Sequence, residues 1–187
     1  EEFDGAVTLA NDVTLDTSTA GGDITVASVT GAGNDLEINA GSGNTSLGNV
    51  AGVGALTVDG TSTLTGTSYV ATTETFDGAV TLANNASLDT RTAGCNITVA
   101  SVTGANHNLT VDAGTGAISL GNVAGAGRLR VNGAATLTGT SYAGNQLDFF
   151  GNVTLTHGTS FTSNNGEIDL VSVLGGGNNV SINGGTG

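Results

Sequence analysis

The sequence predicts an all-β protein, a right-handed parallel β-helix (β-solenoid) with about 20 residues per rung. Three observations predict it. A 73-residue repeat runs through the chain, a shorter period near 20 residues lies inside it, and alternating aliphatic triplets are separated by Gly, Asn and Asp.

The long repeat comes first. Residues 3–69 open with FDGAVTLAN, continue through ITVASVTGA and SLGNVAG, and end in TLTGTSY; residues 76–142 carry the same four strings in the same order, with 46 of 67 positions identical. A third copy starts at Phe149 as FFGNVTL and drifts, losing two residues before Ile168. The units are 1–73, 74–146 and a partial 147–187, expected to form one continuous solenoid. Because the third unit stops partway, the chain is expected to be a window on a longer protein.

Within a unit, GDITVASVTGAGNDLEINAG (22–41) aligns with GNTSLGNVAGVGALTVDG (43–60), so that Ile24, Val26 and Val29 meet Thr45, Leu47 and Val50, and Leu36 and Ile38 meet Leu56 and Val58. Triplets such as Ile24-Thr25-Val26 and Leu56-Thr57-Val58 put aliphatics on one face and hydroxyls on the other. Gly, Asn and Asp between them suit corners that need a positive φ or a side-chain-to-backbone bond. One such coil cannot bury its inward face alone, but stacked coils bury a continuous column. Nine rungs at about 4.8 Å would span about 45 Å. Val26, Leu36, Leu47, Leu56 and their second-copy partners are the expected core. Tandem β-sandwiches fit poorly with the 20-residue sub-period, and an outer-membrane barrel would need aromatic girdles and longer strands.

Composition bounds the function. Sixteen acids face three arginines, lysine is absent, and the net charge is −13. That excludes a nucleic-acid partner, which needs clustered cations, and disfavours anionic membrane surfaces. No apolar run reaches the length of a membrane helix, so no membrane insertion is expected. A single cysteine, Cys95, allows no internal disulfide.

The two full copies differ in an ordered way. Apolar pairs persist, among them Val7/Val80, Ile24/Ile97, Leu47/Leu120 and Val58/Val131, while charged positions change, as in Asp23/Asn96, Asp35/Asn108, Glu37/Thr110 and Asp59/Asn132. A catalytic or metal site copied with the repeat would keep its polar residues; what persists here is packing and turns.

The strings GGDITVASVTGAGNDLEINAGSGNTSLGNV (21–50) and LTVDGTSTLTG (56–66) resemble the repeat regions of filamentous-haemagglutinin-like exoproteins and related giant bacterial adhesins. The resemblance implies a β-helical shaft exported to the cell surface, serving attachment, aggregation or biofilm formation. It also implies partners among host or cell-surface glycans or proteins. The expected role is therefore structural or adhesive, extracellular and not enzymatic. Self-association end to end, or continuation into more of the same chain, is expected to cover the exposed strand edges.

Candidate chemistry is sparse. Gly21-Gly22-Asp23 begins like a calcium nonapeptide without its later Gly and Asp, so Ca2+ is considered only as a loose ligand of Asp12, Asp16, Asp23 and Asp35. Thr61, Thr63, Thr65 and Thr67, with Thr136, Thr138 and Thr140, alternate along the chain. An ice-ordering face would instead need threonines in one column across the rungs. His107 and His157 fall in turns. Arg91, Arg128 and Arg130 replace Ser18, Ala55 and Thr57 and are expected to point outward. A carbohydrate-active enzyme on a β-helix would need carboxylates converging from adjacent rungs, which the scattered acids do not suggest. N-x-[ST] sequons at Asn44, Asn85, Asn96, Asn108, Asn152 and Asn179 match chance in a chain this rich in Asn, Ser and Thr.

Overall fold

Alternation decides burial locally. Ile24 and Val26 are buried while Thr25 between them is half-buried, and the pattern recurs along the chain. The computed structural model describes residues 1–185; Thr186 and Gly187, the last two of the third unit, lie outside the described residues. There is no helix among the described residues. The strands are β1 (Glu2–Thr8), β2 (Val13–Asp16), β3 (Ile24–Thr30), β4 (Leu36–Leu64), β5 (Ser68–Leu82), β6 (Ala86–Asp89) and β7 (Ile97–Thr103). They continue as β8 (Leu109–Asp112), β9 (Ile118–Asn132), β10 (Ala135–Leu137), β11 (Ser141–Leu155), β12 (Thr159–Ser163), β13 (Ile168–Leu174) and β14 (Val180–Asn183). All fourteen join one sheet, and the pairings between them are parallel. The chain is a β-solenoid of about 9 turns with about 21 residues per turn.

Sequence reasoning expected short triplets. The 29 residues of β4 and the 15 residues each of β5, β9 and β11 show instead that the ladder runs on through corners. Corner backbone therefore finds its partners in the neighbouring rung, as buried backbone must.

Three inward columns define three faces. The first is continuous through Val7, Val29, Val50, Tyr69, Leu88, Val111, Val131, Phe149 and Leu170. The second contains Val13 and Leu36, then Leu56, Glu74, Ile97, Ile118, Ala135, Val153 and Val173. The third contains Ile24 and Thr45, then Ser62, Val80, Val102, Val123, Tyr142, Phe161 and Ile182. Within β4, where rungs two and three are one strand, the Gly54 N–H donates to Asn34 O and the Thr65 N–H to Leu47 O. The expected core is in place: Val26, Leu36, Leu47, Leu56, Val99, Leu109, Leu120 and Leu129 are each at most 2% exposed.

The 73-residue repeat does not match a whole number of turns. Val7 lies on the first face of rung one and Val80 on the third face of rung four, eleven faces further along the chain. Ile24 to Ile97 and Tyr69 to Tyr142 give the same eleven-face step. Eleven faces are three and two-thirds turns. Each copy is thus rotated onto a neighbouring face, and the same sequence builds a different side of the shaft.

Rung length varies from 17 residues between Leu120 and Leu137 to 23 between Val13 and Leu36. The short rungs are sealed by tyrosines. Tyr69 is fully buried, its hydroxyl donating to Leu47 O at 2.8 Å and accepting from the Gly66 N–H at 2.9 Å. Tyr142 repeats this with Leu120 O at 2.6 Å and the Gly139 N–H at 3.1 Å. Burial pushes the Tyr142 phenol up to about 12 and moves Tyr69 further in the same direction. Both therefore stay protonated donors. Tyr142 also stacks on Phe161 at 5.6 Å, and Phe149 meets Phe161 edge-on at 5.7 Å. Gly48 and Gly121 are required by close approach: a Cβ there would lie 1.8 and 1.7 Å from the carbonyl oxygens of Ala27 and Ala100 in the rung below.

Candidate functional surfaces

The acids proposed for calcium serve as corner acceptors. Asp12 Oδ1 accepts from the Asp35 N–H at 2.9 Å, and Asp35 Oδ1 from the Ala55 N–H at 2.7 Å. Asp23 Oδ1 accepts from the Asn44 N–H at 2.8 Å, and Asp16 Oδ1 from the Ser18 N–H at 2.8 Å. The hydrogen bonds of Ser18, side chain first and then backbone, hold the Asp16 carboxyl below its usual range. The structure brings Asp12 and Asp35 together on adjacent rungs, in a shallow groove also lined by Glu37; Asp16 and Asp23 sit at other corners. Among the described residues, no group of three or more His, Cys, Asp or Glu side chains is arranged to hold a metal ion.

The same geometry explains the Asp-to-Asn drift between copies. Asn85 Oδ1 accepts from the Asn108 N–H at 2.8 Å and Asn96 Oδ1 from the Ala117 N–H at 3.0 Å, as Asp12 and Asp23 do one copy earlier. Only a carbonyl-like acceptor is needed, so the charge is optional. Asn49 and Asn122, unchanged between copies, each accept two N–H groups: from Thr67 and Ser68 at 2.7 and 3.1 Å, and from Thr140 and Ser141 at 2.8 and 3.0 Å.

Sequence reasoning missed the carboxylates on the second face. The Asp59 carboxyl is raised by burial, then by the charges of neighbouring Asp77 and Glu37. The signal was present, since Phe76-Asp77-Gly78 stacks an acid above Val58-Asp59-Gly60 of the rung below, with Phe76 opposite Val58. A larger omission is Glu74, fully buried in the second inward column.

The arginines face outward, with Arg91 64% and Arg128 41% exposed. Arg91 Nε lies 3.0 Å from Asp89 and its Nη1 3.8 Å from Asp112. Arg128 pairs with Asp148, which is buried and also accepts from Gln146 at 3.1 Å. Arg130 bonds Asn132 at 3.1 Å and lies 4.8 Å over the Phe150 ring. Phe150, Val171 and Leu174 are exposed, replacing Asp77, Ala100 and Thr103 of the second copy. Cys95 is a half-buried free thiol, His107 is half-buried after a turn, and His157 is exposed in a bend.

One expectation is corrected. Threonines were expected only along the chain, yet pairing stacks Thr57, Thr75, Thr98, Ser119, Thr136 and Thr154 into one outward column over six successive rungs. The one-third-turn offset is the reason: it brings different sequence positions of successive copies onto one face. The flanking column is mixed, with Asp77, Ala100, Gly121 and Thr138 two residues further on.

The fold defines a class, the β-solenoid repeat proteins, and no helix among the described residues is long and apolar enough to cross a membrane. Comparison with protein-family models, curated proteins and solved structures finds no match.

Proposed function

We propose that this chain is a segment of an extracellular β-solenoid shaft, structural or adhesive, of the kind that filamentous-haemagglutinin-like exoproteins build at the bacterial surface. One observation carries the reading: what the copies keep is inward packing and corner acceptors, and what they release is outward charge. The one-third-turn offset agrees with it. A copied recognition residue is turned to a new face in each unit, whereas a copied core residue always finds another core column. More units of the same kind are the partner that best fits the rung edges. Inside the chain, β5 and β6 of the second copy are already covered by β4 and the start of β5 from the first.

A tandem series of one, two and three 73-residue blocks, measured by small-angle scattering and cell binding, tests the reading. Each block is expected to lengthen the rod by about 18 Å, three and two-thirds rungs at about 4.8 Å. A compact particle overturns it. The rival, a carbohydrate-active enzyme, draws on the Glu37, Asp59 and Asp77 group. Polysaccharide turnover by the chain, lost in Asp59→Asn, would establish that rival.

A further inference from the structure

Alternation with Phe76 drives Glu74 inward: Thr73 and Thr75 are half-buried, while Glu74 is 0% and Phe76 1% exposed. The carboxyl stands in the second column between Leu56 below and Ile97 above. Its Oε1 accepts a long hydrogen bond from the Asp89 N–H at 3.3 Å, and Oε2 has no partner among the described residues. The backbone N–H of Glu74 donates to Asn96 O at 3.2 Å. Side chain and main chain of this residue thus hold the two ends of one corner, Asp89 to Asn96. Within that corner Arg91, Thr92 and Ala93 are exposed, and buried Thr90 donates from Oγ1 to Cys95 O at 2.6 Å.

Among the described residues, no cation compensates the carboxyl. The facing residues Leu56 of β4 and Ile97 of β7 are uncharged, β6 contributes Asp89, and β5 itself contributes the buried Tyr69 phenol. Arg91 is engaged by Asp89 and Asp112, and Arg128 by Asp148. The position does not need a carboxyl to pack, because its counterpart 73 residues on is Leu147, also 0% exposed.

We infer that Glu74 is a proton-operated latch at the junction of the first and second repeats: neutral, it seals the core column, and ionised, it loosens the Asp89–Asn96 corner above it. Burial raises its carboxyl well above the usual range; the Asp89 N–H opposes the rise and the Asp89 carboxylate adds to it. The folded chain therefore holds this proton where the unfolded chain has lost it. Its contribution to stability is full below the ordinary glutamate pKa of about 4.3 and is lost as pH rises from there toward the raised folded value. The folding equilibrium falls by up to tenfold per pH unit across that window.

The experiment compares the whole chain with Glu74→Gln and Glu74→Leu in melts from pH 4 to 9 and in hydrogen exchange at the Asp89, Thr90 and Ile97 amides. Taking the ratio of wild-type to variant exchange at each pH removes the intrinsic pH dependence. The expected result is convergence of wild type and Glu74→Gln near pH 4, a wild-type Tm that drops progressively below the variant's as pH rises, and at least tenfold faster wild-type exchange at those three amides by pH 8. Parallel melting curves with unchanged exchange ratios overturn the latch. If neither variant folds, carboxyl 13C titration of Glu74 in the wild type decides: a midpoint above the ordinary glutamate range supports the latch, and one within that range overturns it.

Discussion

Two residue types explain much of what each copy retains. Tyr69 and Tyr142 fill short rungs with the ring and satisfy two backbone groups with one hydroxyl. Leu47 O and Leu120 O keep the N–H groups of Thr65 and Thr138, but removing the phenol oxygen takes the acceptor from the Gly139 N–H and leaves the Gly66 N–H only Leu47 O at 3.3 Å, in an apolar interior, which costs about 1–3 kcal/mol. Tyr69→Phe and Tyr142→Phe should each destabilise by that amount in urea unfolding. The corner acids behave differently, since their role is that of an acceptor alone. Asp35→Asn should leave the midpoint where it is, and Asp35→Ala should lower it. The sequence made the first half of this legible. Paired Asp/Asn positions signalled that charge was dispensable, but the N–H groups that Asp12, Asp23 and Asp35 serve lie 20 or more residues away and are set by rung register. Glu74 was legible too, through its phase with Phe76. An acid among threonines reads as surface by composition, and only the period-two phase with Phe76 turns it inward.

At the level of strands, the alternating triplets and the Leu47–Val26 type of register could be read directly, and the structure has Val26 opposite Leu47 and Val29 opposite Val50. What could not be read was the continuation of pairing around corners and the unequal rung lengths, because both depend on bulges. The register shifts fall at Phe3/Ala6, Ala51/Val53, Phe76/Ala79, Tyr142/Gly144 and Phe149/Asn152, and Gly48 and Gly121 mark a different kind of corner, where two rungs approach closely without a shift. Gly48→Ala or Gly121→Ala would force a Cβ against the Ala27 or Ala100 main-chain carbonyl, in strands held on both sides by neighbouring rungs. Each should cost at least as much as a buried Leu47→Ala, which is about 2–5 kcal/mol, and should shift amide resonances in two adjacent rungs. A change confined to the substituted residue would show that the close approach is not rigid.

Over the whole molecule, charge and repeat phase dominate. Nine of the sixteen acids and none of the arginines lie in residues 1–73, so self-repulsion is concentrated in the first rungs. Raising salt from about 10 to 150 mM, which shortens the screening length from about 30 to 8 Å, should raise Tm and protect β1 to β3 more than β9 to β11. Uniform protection would contradict this. The 73-residue repeat was plain in the sequence, but its three-and-two-thirds turns were not, because a linear spacing carries no angle. That offset, and the stacked hydroxyl column it creates, is the central structural claim. Inter-rung contacts measured by NMR on the chain in solution test it most directly. The account predicts close contacts from Thr98 to Thr75 and to Ser119, and from Thr136 to Ser119 and to Thr154. Contacts linking Thr98 instead to antiparallel partners within ten residues along the chain would contradict it.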